Sequence, residues 1–350
     1  MKILYIAANE FNAKLQGDAL RRLGHDVFQV DPYGPLKESR LGQIWTFKTG
    51  NFGTAWVINN CILQRLQGRR FDVCLVDGGD LVSAALVQRL RSMCNRVVLF
   101  CRDNPFVARD GLRWRLLKSA LPHYDLFVTR RQSSVEAAYR LGAKNAMHVF
   151  LPADEVAHRT PQLTAADRER YGAPVSFIGT WMPERGPFIE RLLQRGVPLR
   201  VIGPRWTRAE NYRAIRSVAS AELLNTTEYV KALAACQIAL AMLSKGNADL
   251  HTARSVEIPA IGRLLCAERT EEHQAMYRDG EEAVFWNDAD ECADVCLALL
   301  SDPDRIERIA AAGHRRILAN GHFNEPTFTK ILTAAMGLPI MRAEAAAMAQ

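Results

Sequence analysis

Residues 2–30, KILYIAANEFNAKLQGDALRRLGHDVFQV, decide the fold class. The run from Lys2 to Ala8 is almost continuously apolar, as a strand covered on both faces must be. Leu15, Ala19, Leu20 and Leu23 then recur at helical spacing, and Gly24 follows where a helix end favours a residue without a Cβ. HDVFQVD (25–31) is a second apolar strand. Strand, helix and strand in so short a span predict a parallel βαβ unit of the Rossmann type. The turn after the first strand reads ANEFNAK, with no glycine pair, so the dinucleotide fingerprint is missing and an NAD enzyme is disfavoured.

The same alternation runs on. FDVCLVDGGD (71–80), RVVLFCRDNPF (96–106), YDLFVTR (124–130) and NAMHVFLPA (145–153) read as strands, separated by helical patterns at 81–93 and 133–143. Trp45 to Arg70 carries a helical pattern through Trp56, Ile58, Ile62, Leu63 and Leu66. Asp77, Asp80, Asp103 and Asn104 fall just past strand ends, the edge at which open parallel sheets bind ligands. Each also suits a helix cap, and for any single one capping is the favoured reading.

A polar stretch from Pro152 to Ala173 breaks the pattern and marks a boundary. It divides the chain into a first domain (1–155), a linker (156–172), a second domain (173–335) and an Ala-rich tail (336–350) expected to fray. In the second domain, strands at PVSFIGT, VPLRVIG, QIALAML, RLLCA and EAVFWN alternate with helices, one of them TTEYVKALAAC, opened by Thr226 or Thr227 with Glu228 in its first turn. Two Rossmann-like α/β halves in sequence are the expected architecture. Between QIALAML and RLLCA lies SKGNADLHTARSVEIPAIG, which crowds Lys245, Asn247, Asp249, His251, Thr252 and Arg254 into ten residues ahead of a short helix pattern containing Glu257. Loops between buried elements are where scaffolds place chemistry, and a helix start suits an anion.

Composition bounds the rest. With 350 residues the chain suits two domains, and 48% hydrophobic with 24% charged residues is ordinary for a soluble protein. No apolar run approaches the ~18 residues that a transmembrane helix needs. The N-terminus reads as a strand and not as a signal peptide. Eight scattered cysteines, with Cys292 and Cys296 four apart and no zinc-ribbon spacing, read as reduced thiols of a cytoplasmic protein. A net charge of +7 favours an anionic partner, whether nucleotide, nucleic acid or membrane surface. No aromatic-basic pattern supports nucleic acid. In RDGLRWRLLKSAL (109–121), Leu112, Leu116, Leu117, Ala120 and Leu121 share one face, and Arg113, Arg115 and Lys118 another, beside Trp114. The favoured reading is a core-packed helix with a solvated basic side; the other rests it on an anionic bilayer at the inner membrane face.

The second half resembles the CgeB-like (spore-maturation-protein-like) glycosyltransferases, within the two-Rossmann-domain (GT-B) transferases. The resemblance lies in VSFIGTWMPERG, in TARSVEIPAIGRLLCAE and in the run from Tyr277 to Leu318, and more loosely in the first half through CRDNPF and the run from Tyr124 to Thr160. It implies two Rossmann-like domains facing across a cleft, a nucleoside-diphosphate sugar (UDP or GDP) as donor, and a glycan, lipid-linked sugar or protein as acceptor. Glu257 matches the residue that accepts the ribose hydroxyls. Gly179 and Thr180, with Arg185 following, match the diphosphate turn, joined by Gly203 and by Arg254 at the helix opening. Asn247 and His251 flank Asp249, and all three are expected near the donor. Many retaining enzymes of this kind carry Glu, seven residues, then Glu; Asp249 falls at the first position and Glu257 at the second. If the reaction inverts, a base is expected in the first domain, with Asp103, Asp80 and Glu10 as candidates in that order. No cofactor and no metal site are expected, since Asp288 and Asp290 sit where residues cap a helix. The resemblance leaves open a sugar-nucleotide epimerase of the same fold and a non-catalytic coat protein.

Overall fold

The N-terminal apolar run forms β1 (Lys2–Ile6), in which Ile3, Leu4, Tyr5 and Ile6 have no exposed surface. A helix (Phe11–Arg22) returns the chain to β2 (Asp26–Val30), and Gly24 takes the left-handed conformation (φ 78°) that closes a helix end without a Cβ clash. β3 (Phe71–Asp77), β4 (Cys94–Cys101), β5 (Leu126–Thr129) and β6 (Ala146–His148) complete a parallel sheet ordered β2-β1-β3-β4-β5-β6. Ile3 pairs with both Val27 and Val73, so β1 is interior. The second sheet is built from β7 (Ala173–Ile178), β8 (Leu199–Ile202), β9 (Ala219–Ser220), β10 (Cys236–Ala241), β11 (Leu264–Glu268) and β12 (Val284–Trp286). It is also parallel, in the order β12-β11-β10-β7-β8-β9. This computed structural model describes residues 1–34 and 40–338.

Each sheet has one point at which the winding reverses. In the first it lies between β1 and β3, in the second between β7 and β10. Such reversals leave a crevice at the carboxyl ends of the two strands. Two apolar layers cover the first sheet. One joins Leu4, Ile6 and Val76 to Ile58, Ile62 and Leu66 of a helix (Ala55–Arg65) and the turn after it. The other joins Ile3, Tyr5 and Phe100 to Phe328, Ile331, Leu332 and Ala335.

That second layer corrects the expected boundaries. The chain divides into Phe150–Pro326 and a unit made of Met1–Val149 plus the segment from Thr327 onward, because the helix Asn324–Gly337 packs on the first sheet. Its Phe328 meets Phe100 edge-on at 6.0 Å, and Arg96 Nε donates to the Ala335 carbonyl at 2.9 Å. The expected linker is also structured: Thr164 and Asp167 form a reciprocal cap on the helix Ala165–Tyr171. The last twelve residues of the tail lie outside the described residues.

Three local readings change as well. Residues 45–70 hold two helices, Arg40–Thr49 and Ala55–Arg65, separated where Gly50 and Gly53 take positive φ. Trp56, counted with the buried face, is 65% exposed. TTEYVKALAAC is capped by Asn225, whose side chain accepts from the Glu228 amide, and not by Thr226 or Thr227. The helix Arg115–Ala120 is core-packed, as the favoured reading expects, with Trp114, Leu116, Leu117, Ala120 and Leu121 buried.

Candidate functional site

At the β7–β10 reversal the chain leaves β7 through Gly179 and Thr180 and enters the helix Arg185–Gln194. A Cβ on Gly179 would stand 2.8 Å from the Phe177 ring and 3.0 Å from the Arg254 guanidinium, so a side chain there would have to displace one of them. Gly203, at the end of β8, lies against it: a Cβ there would come within 2.2 Å of the Gly179 carbonyl oxygen. The Gly179 amide is spent on the Ile202 carbonyl at 2.8 Å, and its carbonyl accepts from Trp206 Nε1 at 2.9 Å. Gly179 and Gly203 therefore supply room at the turn, and the Gly179 amide is not free to donate. Thr180 is half-exposed, and its hydroxyl makes no hydrogen bond among the described residues.

Arg185 is buried across the reversal. Its Nη1 donates to the Thr180 carbonyl at 2.7 Å, and Nη2 donates to those of Met242 at 2.9 Å and Leu243 at 3.2 Å. It thus ties the exits of β7 and β10 together, a role that its sequence position did not reveal. Burial first, and the neighbouring Arg254 second, pull its pKa down to about 10. Arg254 is half-exposed, donates from Nε to the Ile178 carbonyl, and lies over the Phe177 ring. Two guanidinium groups that raise each other's energy at one turn favour an incoming anion. Glu184, Asp249 and Glu268 temper this field, and Lys245 pairs with Glu268.

The loop after β10 holds the remaining donor-site candidates. Asn247 is buried and donates to Asp249 Oδ1 at 2.8 Å. Asp249 is half-buried, and its amide donates to the Ser244 carbonyl at 3.3 Å. His251 is buried: the Leu151 amide donates to Nε2 at 3.0 Å, which leaves Nδ1 to donate to Glu272 at 2.5 Å. Both ring nitrogens being occupied, His251 anchors the loop and offers nothing to a sugar or phosphate. The helix Arg254–Ala260 is short and interrupted by Pro259, so it brings little dipole. Glu257 lies in it, buried. Tyr229 donates to its Oε2, and His158 Nε2 stands 3.6 Å from Oε1, an electrostatic contact beyond hydrogen-bond reach. Oε1 has no hydrogen-bond donor among the described residues. Tyr229 and His158 escape sequence reasoning because they come from separate segments, 28 and 99 residues away.

At the β1–β3 reversal of the first unit is a cavity of about 310 Å³, lined by Ala8, Asn9, Glu10, Tyr33, Gln43, Thr46, Phe47, Asp80 and Arg113. β3 delivers Asp80 through Gly78 and Gly79, both with positive φ, so the turn demands glycines. Asp80 accepts from the Tyr33 hydroxyl at 2.6 Å and from Arg113 Nε at 3.0 Å. Burial and Asp80 raise the pKa of Tyr33, which keeps it a phenol and a donor. Burial alone would lower Arg113, but Asp80 outweighs it and holds the guanidinium charged. Glu10 opens into the cavity, exposed, and its carboxylate makes no hydrogen bond among the described residues. Asp103 is 3.7 Å from Arg113 but is not among the lining residues, and its side chain is 43% exposed. Of the three expected bases, Glu10 and Asp80 line the cavity and Asp103 does not.

Asp288 caps the helix Ala289–Leu300 through the Glu291 amide, as expected, whereas Asp290 pairs with Arg191 and Arg195. Sequence spacing hid one possible ligand set. β11 brings Cys266 beside Cys292 and Cys296, their sulfurs within 4.8 Å of one another in the core. Thiols can hold a soft ion, but here they pack between sheet and helix, buried.

Residues 185–333 match the model of a family described as glycosyl transferase-like. No curated protein sequence matches the chain. Among solved structures, sucrose-phosphate synthase from Thermosynechococcus elongatus matches with a TM-score of 0.68 at 12% identity, over 96% of this chain and 99% of that one. HepE of Anabaena in complex with UDP and glucose matches with a TM-score of 0.64 at 11% identity, over 95% and 100%. An E. coli structure described as trehalose-6-phosphate bound with UDP-2-fluoro glucose matches with a TM-score of 0.66 at 13% identity, over 97% and 100%. At these identities the likeness establishes the fold, two Rossmann-like domains of the GT-B kind.

Proposed function

We propose that this chain is a glycosyltransferase of the CgeB-like type, moving a hexosyl group from UDP or GDP to an acceptor without a metal ion. The observation that carries the reading is the β7–β10 reversal, where a turn free of side chains lies under Arg254 and over the buried Arg185. Breaking a glycosidic bond to a nucleoside diphosphate builds negative charge on the departing oxygen. Preformed positive groups at that point lower the barrier without reorganising. The glycosyl transferase-like match over residues 185–333 covers this turn's helix and the Glu257 helix, and supports the assignment. The UDP-bound neighbours support a nucleotide sugar.

In this reading Thr180 and Arg254 meet the diphosphate, while Arg185 fixes the turn and adds charge from beneath. Glu257 Oε1 accepts a ribose hydroxyl, with Tyr229 holding the other oxygen. Asp249 faces the donor sugar. The acceptor enters the cavity of the first unit, and if the anomeric centre inverts, Glu10 takes its proton.

The test is nucleotide linkage. A ligand at 100 times its Kd adds about 2.7 kcal/mol of apparent stability. UDP or GDP should raise the melting temperature, and Glu257→Ala should diminish that rise. Loss of every nucleoside-diphosphate effect at millimolar concentration would falsify the reading. Turnover of a nucleotide sugar that requires no acceptor and releases no nucleotide would point instead to an epimerase.

A further inference from the structure

We propose that the helices Arg40–Thr49 and Ala55–Arg65 form a docking surface for an anionic lipid bilayer, placing the adjoining cavity over a lipid-anchored acceptor. Large exposed apolar side chains concentrate here: Leu41, Ile44, Trp45, Phe52, Trp56 and Val57, from 37% exposed at Val57 to 81% at Leu41. They form a connected patch. Trp45 Nε1 donates to the Phe52 carbonyl at 3.0 Å, the Arg115 guanidinium lies 5.1 Å over the Phe52 ring, and Gly50 packs against Leu112, itself 57% exposed.

The first helix has two working faces. Leu41, Ile44, Trp45 and Lys48 fall within an arc of about 100°. On the opposite side Gln43, Thr46 and Phe47 line the cavity. One element therefore borders the pocket with one stripe and exposes tryptophan, aliphatic and lysine side chains with the other.

Charge selects the occupant. From Leu41 to Phe71 the sequence has no Asp or Glu and four basic residues, of which Lys48 lies on the exposed stripe of the first helix and Arg65 ends the second. Arg115 adds to them at the patch edge. A second copy of the chain on a twofold axis would bring Lys48 and Arg115 against their own copies, with no acid on either helix to answer them. Anionic headgroups satisfy them, and indole rings prefer the headgroup level of a bilayer. The helix Arg115–Ala120 gives the patch only its first residue, Arg115, because its apolar side is core. The lipid-anchored acceptor rests on the transferase reading; the bilayer contact does not.

The experiment uses the full chain with vesicles of phosphatidylcholine alone and with about 30% phosphatidylglycerol. Flotation should carry the protein with the anionic vesicles, weakly with the neutral ones, and less as salt rises. The double variant Trp45→Ser/Trp56→Ser, and separately Lys48→Glu, should each lower partitioning about tenfold or more. Both should keep the parent melting temperature and the UDP or GDP shift. Absence of flotation, or equal partitioning of parent and variants, overturns the proposal. So does a concentration-dependent dimer in vesicle-free solution that Trp45→Ser/Trp56→Ser abolishes. Vesicle binding without any nucleotide shift would leave this surface standing and remove the transferase reading, and the reverse pattern would do the opposite.

Discussion

Arg185→Met is the sharpest test of how the second unit is held at its reversal. The guanidinium makes three charge-assisted bonds to the carbonyls of Thr180, Met242 and Leu243, and each such bond contributes roughly 1.5–3 kcal/mol. Methionine matches the length and leaves all three carbonyls without that donor. Removing one member of a buried charged network costs about 3–5 kcal/mol. Against this, burial and Arg254 already disfavour the charged form, holding its pKa at about 10. The expected loss is thus nearer the lower bound, about 3 kcal/mol. For a unit the size of Phe150–Pro326 that lowers its melting transition by about 6–12 °C. Arg185→Lys keeps a charge but cannot span both strand exits, so it should fall between Met and the parent. Calorimetry resolves the transition, and urea unfolding followed by tryptophan fluorescence gives the free energy. A Met variant melting within about 2 °C of the parent, yet blind to UDP and GDP, would refute the reasoning. It would make Arg185 a direct ligand and not a tie.

Three further outcomes follow from named contacts. Burial raises the Glu282 carboxyl, but Arg316 and Arg278 outweigh it and bring its pKa from 4.5 to about 2. A depressed carboxyl contributes its stability above the unfolded value and loses it as pH falls through the folded one. The penalty of Glu282→Gln, about 2 kcal/mol after screening at the partly exposed arginines, should be complete at neutral pH and vanish between about pH 5 and 2 in a melting series. Asp249→Asn should lower turnover about tenfold or more with nucleotide affinity unchanged, and equal turnover would leave Asp249 a loop residue. Activity should survive EDTA; abolition with rescue by magnesium or manganese would return attention to Asp288 and Asp290 despite their cap and ion-pair roles.

The alternation of strands and helices was legible because parallel strands covered on both faces leave uninterrupted apolar runs such as KILYIAA and FDVCLVD. Strand ends are legible too, which is why Asp80 and Glu10 are read at them, while the reversal beside which they fall is not. Nor is what such residues touch. Whether Gly179 offers an amide or merely space depends on Ile202 and Trp206, which reach it from other strands and turns. The burial of His251 between Leu151 and Glu272 is a long-range fact that its polar loop conceals. Periodicity also cannot say which apolar residue stays outside: Trp56 fits the face of Ile58 and Ile62 loosely enough to be counted with it, yet faces water.

The return of the Asn324–Gly337 helix to the first sheet orders events on the ribosome. Ile3, Tyr5 and Phe100 are covered by Phe328, Ile331 and Leu332, which are synthesised roughly 180 residues after the first unit's opening segment ends at Val149. At about 5–20 residues per second that is an interval of about 10–35 s. Throughout it, the part of the nascent sheet that this helix covers is an open apolar surface, while Phe150–Pro326 can emerge and close on its own. The domain begun first is the one finished last. Stop codons before Thr327 should therefore yield chains that chaperones retain, with Tyr5 and Phe100 uncovered.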